Sequence, residues 1–136
     1  MKPSLKSGVL KRIGATGLVL MLSLCLACHG KRSLTLPSEL SGVWATDDPR
    51  YRGRLLELWP TFIIIITGPE NPVSVQWVDK VETQPRGDEA AFTVYSTDYS
   101  QRQDYQMVLR FSSANGGELR CGNEPQVWRR LAAKTK

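Results

Sequence analysis

Between residues 40 and 131 the chain falls into short apolar segments, each closed by a turn signal. The strand candidates are Leu40–Ala45, Arg54–Trp59, Phe62–Thr67, Val73–Val81, Ala91–Ser96, Tyr105–Phe111, Glu118–Cys121 and Gln126–Leu131. Between them stand Asp48-Pro49, Trp59-Pro60, Gly68-Pro69, Asn71-Pro72, Pro85-Arg86-Gly87-Asp88, Asn115-Gly116-Gly117 and Gly122-Asn123-Glu124-Pro125. Such residues set the positive φ or fixed φ that tight turns need. One strand in about every 11 residues predicts an all-β barrel or sandwich. Consecutive short turns favour an up-and-down antiparallel barrel of about eight strands, and closure removes exposed sheet edges. No stretch of ten residues carries a sustained helical stripe.

The 136 residues suit one domain. The net charge of +5 is unevenly placed. Lys2, Lys6, Lys11 and Arg12 fall in residues 1–27 without any acid, leaving 14 Lys and Arg against 13 Asp and Glu elsewhere. The basic character belongs to the N-terminal segment, so no nucleic-acid partner is expected.

Ile13 to Ala27 carries no charge. As a helix these residues span about 22 Å at 1.5 Å per residue, short of the roughly 30 Å hydrocarbon core. A basic start followed by a short apolar stretch predicts a secretory signal over 1–27, cut after Ala27. The next residue is Cys28.

Leu24-Cys25-Leu26-Ala27-Cys28 resembles the lipobox of bacterial lipoprotein precursors. Cys25 stands three before Cys28, where that family usually has Leu. The resemblance implies diacylation of the Cys28 thiol before cleavage. Because His29 rather than Asp follows, it also implies passage to the outer membrane, facing the periplasm. Each buried CH₂ contributes about 0.8 kcal/mol, so two chains anchor stably where one is marginal. The alternative is ordinary cleavage with Cys28 free for a disulfide. With Cys25 removed and Cys28 acylated, Cys121 is left as a lone, buried, small hydrophobe. The mature organisation is then a lipidated tether over 28–38, a β-barrel over 39–131 and a tail over 132–136. As a flexible coil, ten tether residues span roughly 17 Å.

A second resemblance lies in the barrel. Gly42-Val43-Trp44 is on the first predicted strand and Trp128-Arg129-Arg130 on the last. Lipocalin and calycin barrels open with Gly-x-Trp and cover that Trp with an Arg from the last strand. The resemblance maps the Trp onto Trp44 and the Arg onto Arg129 or Arg130. Such a contact contributes about 1 kcal/mol. The domain is much shorter than a typical lipocalin.

Catalytic constellations are not evident. The single His, His29, adjoins Cys28, which excludes a Ser-His-Asp or Cys-His mechanism and a His-ligated zinc site inside the barrel. Asp47-Asp48 and Asp88-Glu89 read as turn acids. No cofactor or metal is expected. Arg50, Arg52 and Arg54 alternate, and in an extended chain they share one face opposite Tyr51, which makes them a candidate site for a phosphate or carboxylate. Trp44, Trp77 and Trp128 read as core, and Phe92, Met107, Leu109 and Phe111 as a filled interior. Phe62-Ile63-Ile64-Ile65-Ile66 is apolar on both faces, although a barrel strand needs only one. The outer set needs cover, expected from Leu34 and Leu36 of the tether or from Leu131 to Ala133 of the tail, with a partner protein or the membrane surface as the alternative. The expected role is non-enzymatic: a membrane-anchored barrel that binds a partner protein or envelope component. A carrier of a small apolar ligand and an inhibitor of an envelope hydrolase are the alternatives.

Overall fold

The computed structural model describes residues 30–132. The expected signal segment over 1–27, Cys28, His29 and residues 133–136 lie outside the described residues. Nine strands follow in order: β1 (Lys31–Ser33), β2 (Gly42–Ala45), β3 (Leu55–Leu58), β4 (Phe62–Ile66), β5 (Ser74–Arg86), β6 (Glu89–Asp98), β7 (Gln103–Ser112), β8 (Glu118–Cys121) and β9 (Trp128–Arg130). Strands β2 to β9 form a closed antiparallel meander, each paired with the next, with β9 returning to β2. The eight-stranded up-and-down barrel predicted from turn spacing is therefore present.

Alternation fills the interior. Trp44, Leu56, Leu58, Ile63, Val81, Phe92, Val94, Leu109 and Leu119 are buried, and Met107 and Phe111 pack against them. Each full burial of a large apolar side chain contributes roughly 1.5–3 kcal/mol. Gly87 takes φ 59° in the two-residue turn between β5 and β6, a conformation an L side chain resists.

Within the described part of the expected tether, Lys31–Ser33 is not a coil. Lys31–Ser33 pairs with Val81–Thr83 of β5, beyond the stretch of β5 that β4 occupies. The Leu36 amide then donates to the Pro60 carbonyl at 2.8 Å, and the Leu36 side chain joins the core. Three residues of polar composition form a strand here because an unpaired edge of β5 offers them backbone partners.

Strand β5 corrects a second expectation. By its sequence pattern Trp77 reads as core. Instead Trp77 is 47% exposed and Gln76 only 2%. The register Phe62↔Trp77 and Ile63↔Gln76 leaves no other arrangement once Ile63 is inside. An irregularity between Val78 and Lys80 then resets the alternation, so that Val81 is buried.

Candidate functional site

One barrel end is closed. The Trp44 indole is fully buried and its Nε1 donates to the Leu40 carbonyl at 2.9 Å. Arg130 pairs with Trp44 across β9 and β2, so both side chains share a face, and its guanidinium lies 4.9 Å from the indole centroid. Arg130 also donates to the Glu39 carbonyl. Phe111 meets the indole edge-on at 6.2 Å. Gly42 has φ 140°, and a Cβ there would lie 3.2 Å from Arg130 Cδ and Nε. Both the conformation and the close approach call for glycine. Arg129 points the other way, toward Glu118 and Asp47.

The opposite end holds an apolar pocket of about 140 Å³, lined by Tyr51, Arg54, Ile65, Met107, Cys121 and Trp128 among others. Tyr51 packs edge-on against Trp128 at 6.2 Å and donates its hydroxyl to Glu124 at 2.7 Å. Among the described residues, the Trp128 indole N–H has no partner. Burial pushes the Cys121 thiol up to about 11, helped by the Glu124 charge. A thiol so protonated is a poor nucleophile.

The alternating arginines do not form the expected cradle. Pro49–Tyr51 is a 3₁₀ turn, capped by the Asp48 side chain on the Arg50 amide, and not an extended strand. Arg50 is bound to Asp48 at 2.7 Å. Arg54 stacks on the Tyr51 ring at 4.9 Å, and Arg52 is exposed. Proline at the first helical position with an Asp cap favours the turn over the extended chain. Among the described residues, no three His, Cys, Asp or Glu side chains gather into a metal-binding group.

Inverting β5 places polar groups inside. Asp98, 1% exposed, accepts from the Ser74 hydroxyl at 3.1 Å, the Ser100 hydroxyl at 2.6 Å and the amides of Ser100 and Gln101. Gln76 completes the set, donating to Ser74 and accepting from Ser96 at 2.9 Å. The Ser100 hydroxyl foremost, then the Gln101 amide and Ser74, hold the Asp98 carboxyl below the ordinary carboxylate range, while burial opposes them. A depressed folded pKa contributes stability above the unfolded pKa, lost as pH falls through the folded one. Asp98→Asn is expected to be less stable than wild type at pH 7. The gap should narrow below about pH 4, the unfolded aspartate value. Urea unfolding at pH 7 and pH 3 measures both; an equal gap at the two pH values contradicts the assignment. Asp98 was not singled out from sequence, although Asp-x-Ser is an Asx-turn signal that marks it.

Outside, the same inversion assembles an aromatic run. Trp59, Phe62 and Trp77 follow one another at centroid distances of 6.2 and 5.9 Å. Val75 lies opposite Ile64 and is 39% exposed, and Val73 is 52% exposed. Phe62, Ile64 and Ile66 are half-buried. Of the expected cover, Leu36 is spent in the core beside Pro60, Leu34 is 75% exposed and Leu131 49%, Leu131 is tied to Val43 of β2, away from β4, and Ala133 lies outside the described residues. The outer faces of β4 and β5 thus form a continuous apolar surface. Comparison with known protein families, curated proteins and solved structures finds no match for this chain.

Proposed function

We propose that this protein is a lipid-anchored lipoprotein of the bacterial envelope, held through Cys28 to the outer membrane and facing the periplasm. Its barrel is a non-enzymatic binding module that uses the outer face of β4 and β5. The observation that carries this reading is the inversion of β5. Polar Ser74 and Gln76 point inward while Val75 and Trp77 point out. Folding stability alone favours the reverse. Exposed apolar patches of this kind mark interaction surfaces. A photo-reactive benzophenone side chain at position 77 is expected to cross-link to an envelope component in cells. The same group at position 106, exposed on β7, is not. Equal cross-linking from both positions, or none from position 77, contradicts the proposal.

A second reading, a carrier of a small apolar ligand, is favoured by the pocket at the barrel mouth. Its 140 Å³ has room for a molecule about the size of benzene. The interior beneath it is filled by apolar side chains.

A further inference from the structure

We infer that the partner of the exposed β4–β5 face is the surface of the lipid bilayer, against which the barrel lies on its side. The inference rests on the proposed acylation of Cys28. Gly30 lies beside Thr83 of β5, and Cys28 is two residues before it in sequence. Two extended residues reach about 7 Å at most. Acyl chains on Cys28 therefore hold β5 against the membrane surface, since β1 fastens the chain to that strand and removes the slack of a coil tether.

The face has the composition of an interfacial surface. From Thr83 to Trp77 along β5 is about 20 Å at 3.3 Å per residue. The exposed side chains of Arg32 and Leu34 lie along this path, on β1 and just after it. Lys80, partly exposed, stands on the outer face over the Tyr95 ring at 4.1 Å; it and Arg32 lie 3.1 and 3.6 Å from the one Glu82 carboxylate, so this pair of cations keeps one positive charge in excess. Trp59 and Trp77 follow, each exposed; the Trp59 N–H donates to Glu57 at 3.4 Å. Tryptophan is enriched where hydrocarbon meets head group, and Lys and Arg reach from apolar surfaces toward phosphates. A protein partner would be recognised by the same apolar area. The short, fixed link to Cys28 decides for the membrane, which is already at hand.

The four tryptophans make the test direct. Trp44 and Trp128 are buried in the barrel, whereas Trp59 and Trp77 are exposed. The mature protein, extracted from membranes, is reconstituted into phosphatidylethanolamine–phosphatidylglycerol vesicles with brominated acyl chains. Its fluorescence should fall by roughly half relative to unbrominated vesicles, as two of the four indoles lie at the interface. The double variant Trp59→Phe, Trp77→Phe, which keeps the face apolar and the barrel intact, should lose that fall. Flotation with the vesicles but no quenching overturns the docking and leaves the anchor standing, with a protein as the partner of the face. Quenching that persists in the double variant also overturns it. Failure to float, with an unmodified Cys28, overturns both the anchor and the docking.

Discussion

Trp44→Ala is expected to lower the stability of the barrel by about 3–5 kcal/mol, the usual cost of truncating a buried aromatic. Domains of this size are stable by only about 5–15 kcal/mol in total, so a large part of the population should unfold on mild heating. Three losses combine at this position. The cavity is left under Leu40 and Phe111, the Leu40 carbonyl loses its donor, and Arg130 loses the ring it stacks on. Arg50→Ala removes exposed contacts, with Asp48 and with the Tyr51 ring at 5.8 Å, and should change stability by less than about 0.5 kcal/mol. Thermal melts of the two variants beside wild type give the order. If Arg50→Ala is the more damaging, Trp44 does not close the barrel.

Cys28→Ser should move the protein out of the membrane fraction almost completely, or strand it with its signal uncut. A hydroxyl in place of the thiol removes the sulfur nucleophile on which the diacylglyceryl group is expected. A single myristoyl chain binds membranes with a constant of only about 10⁴ M⁻¹, and two chains anchor stably. Losing all chains therefore removes orders of magnitude of partition. The barrel itself should be unaffected, because its strands close without residue 28. Its melting temperature should match that of wild type. A Cys28→Ser protein that stays with the membrane in processed form contradicts lipid anchoring.

Turn chemistry made the strands readable. Gly, Pro, Asn and Asp fall where the chain must reverse, and the meander follows because every link is short. The Gly42 and Trp44 pattern was readable as well, since it depends on residue types that few environments accept. The orientation of β5 was not. Period-two alternation shows that two faces differ without showing which is inside, and β4, apolar on both faces, cannot decide for its neighbour. The polar partners that allow Gln76 inside, Ser74 and Ser96, lie on two strands, and Asp98 holds Ser74 from the far end of β6. Such satisfaction is visible only once the strands are paired. Likewise β1 exists because β5 outlasts β4, a difference in length that Lys31–Ser33 does not encode.

The arginine alternation failed for a local reason. Asp48-Pro49 is a helix-start signal, and it overrides the extended geometry on which a shared face depends. The surface that emerged instead, Trp59, Phe62 and Trp77, spans a turn and two strands whose aromatic residues are not adjacent in sequence.

Anchoring is the central claim, because it fixes which surface the barrel meets. Mass spectrometry of the N-terminal peptide from the membrane fraction tests it most directly. The mature chain should begin at Cys28 and carry a diacylglyceryl group on sulfur, with or without a further acyl chain on the amine. An unmodified Cys28, or a mature N-terminus elsewhere, would contradict it.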